Sequence, residues 1–178
     1  MSKNITPHIH SVQTNAFAMQ YGLGLGVYQV LIGIFFISGL SSSLSSLLML
    51  AMLLATPILS VQLMLRFRNS VCEGKLSFGR GFKFGVLMYI YAGIILALVT
   101  YIYFAYFDHG TLANYYATAL TQPENTTLLT AIQPELTVEH FVQLIRDIQP
   151  VTYATNVLIN NTFVGAIIAA ITAAFIRK

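Results

Sequence analysis

The side chains able to do chemistry in this chain are few, and their spacing limits what that chemistry can be. One cysteine, Cys72, stands in the most basic stretch, between Arg68 and Lys75. Neighbouring cations lower a thiol's pKa and raise its reactivity. A single thiol, however, makes no internal disulfide, CxxC pair or thiolate zinc site, and no histidine adjoins it. His8 and His10 offer two metal ligands where a site needs three or four. His109 beside Asp108, and His140 beside Glu139, pair an imidazole with a carboxylate, the elements of acid–base work, but no defined pocket accompanies them. Gly79, Gly81 and Gly85 are spaced like a phosphate loop that lacks its preceding strand and its GKS or GKT ending. The expectation is a protein with no catalytic residues, no metal site and no cofactor.

The elements that would position any site are membrane spans. Of 178 residues, 56% are hydrophobic and 8% charged, with a mean hydropathy of +0.72. Soluble domains carry about 25% charged residues, so this chain lacks the polar surface to face water all round. Its length leaves no room for a large appended catalytic domain. No Asp, Glu, Lys or Arg occurs between Lys3 and Arg66, about three times the roughly 20 residues that one helix needs to cross the hydrocarbon core. That stretch must hold two spans, 17–40 and 44–65, joined by the hydroxylated turn from Gly39 to Ser46. Pro57 should kink the second. A third span follows at 84–107 and a fourth at 151–176, ahead of Arg177 and Lys178. Residues 1–16 read as a tail; they lack the basic start, short apolar core and cleavage site of a signal peptide, so the first run reads as a retained span. The expected fold is all-α, an integral membrane four-helix bundle.

The loops sort by charge. Lys3, then Arg66, Arg68, Lys75, Arg80 and Lys83, then Arg177 and Lys178 fall on one face, eight of the nine basic residues. Asp108, Glu124, Glu135, Glu139 and Asp147 fall on the other, with Arg146 alone among the cations. Basic residues accumulate on the cytoplasmic side, so the termini and the 66–83 loop are expected in the cytoplasm and the acidic 108–150 loop outside it. Gly110, Pro123, Pro134 and Pro150 punctuate that outer loop, with two short helices expected between them. Between them Val138, Phe141, Leu144, Ile145 and Ile148 recur at helical spacing, with Thr137 as N-cap and Glu139 favouring the helix dipole. A short amphipathic helix is expected there, lying on the interface or over the span tops. The Asn125-Thr126-Thr127 sequon falls on that outer side, where a glycosylation acceptor would have to stand.

Two groups of residues are candidates for binding. Lys75, Ser77, Phe78, Gly79, Arg80, Phe82 and Lys83 in the inner loop mix rings with cations, a composition suited to anionic headgroups at about 1 kcal/mol per cation. Five cations beside a bilayer need no nucleic acid to explain them. Within the spans there is no Asp, Glu, Lys, Arg or His, although an intramembrane charge, costing roughly 2.5–3.5 kcal/mol, usually marks a transport or catalytic path. The polar groups are amides instead: Gln20 and Gln29 in the first span, Gln62 in the second, and Asn156, Asn160 and Asn161 in the fourth. Asn156 and Asn160, four apart, share a helix face that can reach Gln20 or Gln29. Gly22 and Gly26 form a GxxxG spacing that permits close helix contact, within the bundle or to a second copy. Tyr89 and Tyr91 near one end of the third span, and Tyr101, Tyr103 and Tyr106 near the other, form interfacial belts.

A resemblance adds to this reading. The run Gly74-Lys75-Leu76-Ser77-Phe78-Gly79-Arg80-Gly81-Phe82-Lys83-Phe84-Gly85, the stretch Tyr101-Ile102-Tyr103-Phe104 with Asp108 after it, and Gly165, Ile171, Ala173, Ile176 and Lys178 in the last span together resemble the domain of unknown function 4199 family. The resemblance implies a small four-span protein of the Bacteroidota inner membrane and, by the family's own label, no assigned activity. His109 stands where that family often has proline, so the turn geometry does not carry over.

Three functions compete. A structural, scaffold or accessory protein, partnered by the bilayer and by another membrane protein or a second copy, accounts for the missing intramembrane charge. A small carrier or pore would use the Asn156/Asn160 face. A lipid-headgroup-binding or lipid-modifying protein would use the basic inner loop.

Overall fold

The computed structural model describes residues 5–122, 125, 131 and 137–177, with side chains described from Ser11 onward. Lys3, Pro123, Glu124, Thr126, Thr127, Pro134, Glu135, Lys178 and the side chains of His8 and His10 lie outside the described residues. Among the described residues there are six helices and no strand: α1 (Ile5–Gly39), α2 (Ser43–Val71), α3 (Phe78–Tyr106), α4 (Thr111–Leu120), α5 (Val138–Asp147) and α6 (Pro150–Ile176). The first three and α6 are long and apolar enough to cross a membrane. Their outward faces carry exposed Leu47, Leu54, Ile58, Phe163 and Phe175, which in water would be a liability and in lipid is a solvated surface. The molecule is an all-α, multi-pass membrane protein.

The helices run past the apolar runs that begin them. At 1.5 Å per residue, the 29 residues of α2 or α3 reach about 43 Å, beyond a hydrocarbon core of about 30 Å. Keeping backbone groups paired until they are in water is cheaper than unwinding at the interface. So α2 carries Arg66 and Arg68 in its last turns, and α3 starts at Phe78, with the Ser77 side chain accepting the Arg80 N–H. The basic loop thus shrinks to 72–77, a tight reversal in which Glu73 and Gly74 have φ of 51° and 79° and the amides of Cys72 and Gly74 donate to the Arg68 carbonyl. Likewise α1 begins at Ile5 rather than at the apolar run. Pro57 sits inside α2 without ending it.

The centre of the bundle is α3, packed along α6 on one side and α1 on the other, while α2 leans mainly on α1 and touches α3 and α6 lightly. Small residues set these distances. A Cβ on Gly22 would lie 2.7 Å from the Met88 carbonyl oxygen, and one on Gly26 would lie 3.1 Å from that of Ala92, so the GxxxG face is spent inside the bundle, against α3. On the other side, Gly165 of α6 receives the ring of Tyr89.

The two ends of the bundle differ. At the basic end Phe67 of α2 and Phe84 of α3, both fully buried, stack with ring centroids 4.1 Å apart. Phe17 and Tyr21 of α1 pack round that pair, and Met64, Leu76, Met88, Ala173 and Ile176 complete a dense core. At the opposite end α4 and α5 pack on each other through Tyr116 and Phe141. Asp108 starts α4 by accepting the Gly110 and Leu112 N–H groups, and Thr137 caps α5 by accepting that of His140.

Candidate functional site

Where α2 packs mainly on α1 and only lightly on α3 and α6, the four spans line a half-open cavity of about 860 Å³ in the half of the bundle nearer α4 and α5. Its wall is almost wholly apolar, from Ile34 and Phe36 of α1 through Leu53 and Pro57 of α2 to Leu96 of α3 and Val164 of α6. Tyr103, Phe104 and Tyr153 line the end beneath the helical cap, where Phe104 and Tyr153 stack at 3.9 Å and Leu112 of α4 contributes from above. The lining contains no Asp, Glu, Lys, Arg or His.

The polar residues Gln29, Thr56, Tyr89 and Asn161 gather at the other end of the cavity. Gln29 stands ten residues before the end of α1 and Asn161 eleven after the start of α6, which places both about 15 Å inside those helix ends. Their bonding has one possible direction. The Tyr89 carbonyl can only accept, so Asn161 Nδ2 donates to it at 2.9 Å, through the gap left by Gly93, whose Cβ would lie 3.0 Å from that nitrogen. Asn161 then presents Oδ1, which accepts from Gln29 Nε2 at 2.7 Å. That leaves Gln29 Oε1 over, and it is the buried side-chain polar atom without a hydrogen-bond partner among the described residues. The Tyr89 hydroxyl bonds Ser60 Oγ, and Ser60 and Thr56 in turn donate to the Thr56 and Met52 carbonyls within α2. An uncharged amide and hydroxyl floor under an apolar shaft is equipped to hold a ligand, and its bare carbonyl oxygen adds an acceptor with nothing to accept.

Residues 20–178, which include every residue lining this cavity, match the family model described as protein of unknown function (DUF4199). The chain belongs to that family. No curated protein and no solved structure matches it.

The other residues singled out in this DUF4199 chain fall elsewhere. Asn156, Asn160 and Gln20 are exposed on the outside of the bundle, and the amide that meets Gln29 is Asn161. In the basic segment Lys75, Ser77, Phe78, Gly79 and Lys83 are exposed, while Arg80 and Phe82 are half-buried. Arg80 turns inward: its guanidinium donates to Gln13 Oε1 at 3.0 Å and to Thr14 Oγ1 at 3.2 Å, 5.6 Å from the Phe67 ring centroid. Lys83 reaches Ser11 Oγ at 2.6 Å and Tyr91 reaches Asn15 Oδ1 at 2.8 Å, so the start of α1 is clasped by the start of α3. Arg68 Nη1 donates to the Ile176 carbonyl at the end of α6, where a cation favours the helix dipole. Cys72 is buried beneath this cluster. Burial pushes its thiol pKa up, with Arg80 opposing the shift. Asp108 is engaged by the Gly110 and Leu112 N–H groups at the start of α4, next to an exposed His109.

Proposed function

We propose that this protein is an accessory component of a bacterial inner membrane that works by holding an apolar molecule drawn from the bilayer. The cavity carries this reading: about 860 Å³ lies within the roughly 300–1,000 Å³ of ligand pockets, and its uncharged lining would leave an ionic ligand desolvated and unpaired. The test compares lipid retained by the wild type and by Gly33→Phe, purified in nanodiscs from native membrane. Gly33 lines the cavity, and a Cβ there meets nothing within 4 Å, so the ring fills the shaft without displacing backbone. One apolar molecule per wild-type chain, absent from the variant, is expected; equal lipid content overturns the reading.

Sidedness follows from the same charges that sort the loops. The basic end is proposed to face the cytoplasm, so a reporter fused after Lys178 should be active in that compartment and one inserted near Asn125 outside it. A second reading, a scaffold for another membrane protein, draws on Leu144 and Ile148, which stay exposed on and beside α5. Co-purification in mild detergent tests it, and recovery only as a lone monomer counts against it.

A further inference from the structure

We infer that the cavity selects apolar molecules carrying an uncharged hydrogen-bond donor, the hydroxyl of a neutral lipid alcohol, and that Gln29 Oε1 is the acceptor that reads it. This rests on the ligand-holding reading above and names the chemistry of what is held.

The inference begins from the direction of the amide chain. The Tyr89 carbonyl fixes Asn161, Asn161 fixes Gln29, and the group left over inside the bundle is an acceptor rather than a donor. Gln29 is only 7% exposed and its Oε1 has essentially no surface open to a water-sized group, so water does not serve this oxygen and a ligand hydroxyl meets it by a turn of the Gln29 side chain toward the shaft. A buried acceptor left unpaired is costly, while one that meets a donor recovers that cost. The matching ligand group must therefore bring an O–H or N–H, which a hydrocarbon or an ether cannot. It must also be neutral, because no counter-charge lines the shaft and an ion there would stay unpaired. The remainder of the molecule must be apolar to match walls such as Leu53, Leu96 and Val164. The floor discriminates because a site built to bond a hydroxyl rejects the analogue that lacks it, whereas an apolar wall distinguishes poorly between chains of similar size.

The test is competition against a diazirine-bearing long-chain alcohol photocrosslinked to the full chain in nanodiscs. The three competitors share one chain length: 1-dodecanol, its methyl ether, which keeps an oxygen but loses the donor, and dodecane. In the wild type the alcohol should compete at about tenfold lower concentration than the ether or the alkane, the order of one hydrogen bond to a buried acceptor. In Gln29→Met, which keeps an unbranched side chain, that advantage should vanish, and labelling by the alcohol probe should weaken by about the same tenfold without being lost. Equal competition by all three in the wild type overturns the inference and leaves the ligand-holding reading standing. An alcohol advantage that survives in Gln29→Met overturns the assignment to Gln29. Labelling that Gly33→Phe does not reduce overturns the ligand-holding reading, and this inference with it.

Discussion

Asn161 of α6 donates to the main-chain carbonyl of Tyr89 on α3 at 2.9 Å, across a seam where Gly93 has no side chain to stand in the way. The carbonyl belongs to a helix interior, so this bond is additional to the ladder and ties the two most extensively packed spans at mid-depth. Asn161→Leu removes the bond and also strips Gln29 Nε2 of its acceptor. Interhelical hydrogen bonds in membranes average about 0.6 and reach about 1.7 kcal/mol; with two lost together, a destabilisation of roughly 1–2 kcal/mol is expected. Unfolding in mixed detergent micelles measures it. Asn160→Leu, one residue earlier and exposed, should lie within about 0.5 kcal/mol of wild type.

Glycines make a sharper contrast. An alanine Cβ at Gly165 would lie 2.2 Å from Tyr89 Cγ and 2.4 Å from its Cβ, and a ring root cannot swing away as a chain end can. Gly165→Ala must push α6 from α3, costing about 2–3 kcal/mol, as overpacking does. At Gly24 a Cβ meets nothing within 4 Å. Gly24→Ala should therefore be neutral or gain up to about 1 kcal/mol from the loss of glycine's backbone freedom. The same unfolding assay ranks the two, and equal effects would contradict the packing described at the α3–α6 seam.

Cys72 offers a pH-dependent readout. Burial raises its pKa and Arg80 opposes the rise, so in the folded protein the thiol keeps its proton into more alkaline solution than a free thiol. Iodoacetamide should label it slowly at neutral pH, and at least about tenfold faster once the chain is unfolded, because the thiolate is the nucleophile. Arg80→Gln removes the lowering influence and should move the labelling midpoint to still higher pH. The linkage has a definite sign. A folded-state pKa above the unfolded one contributes stability that is fully present below the unfolded pKa and is lost as pH rises through the folded pKa. Alkaline solution should thus weaken the fold, and less so in Cys72→Ala.

The four spans were legible because charge is absent from long runs, and their all-α character because only helices and closed barrels satisfy the backbone in lipid. Their ends were not. Helices continue through Arg66, Arg68, Arg80 and Lys83 because backbone pairing, not hydropathy, governs where a helix stops. The amides of the fourth span show a similar limit. Spacing of four puts Asn156 and Asn160 on one face but says nothing about which face meets α1. The bundle turns them outward, and Asn161, about 100° further round, turns in. The cavity was invisible for a different reason. It exists because α2 leans on α1 and leaves α3 and α6, a matter of crossing geometry that one helix's composition does not encode.

That divergence also divides the bundle's stability between its ends. Phe84 is fully buried and stacked at 4.1 Å on Phe67, with Arg80 near the Phe67 ring, so Phe84→Ala opens a new void in a dense core and should cost about 3–5 kcal/mol. Phe104 at the other end is stacked just as closely, at 3.9 Å on Tyr153, but it is half-buried and already lines the cavity. Truncating it enlarges an existing space. What is lost is chiefly the ring pair, worth about 0.5–1.5 kcal/mol, and Phe104→Ala should cost no more than about 2 kcal/mol. Hydrogen exchange read by mass spectrometry should show the same gradient, with the amides of 80–92 on α3 protected longer than those of 99–106 on the same helix. Uniform protection along α3, or equal cost for the two alanines, would mean that the cavity end is packed as firmly as the basic end.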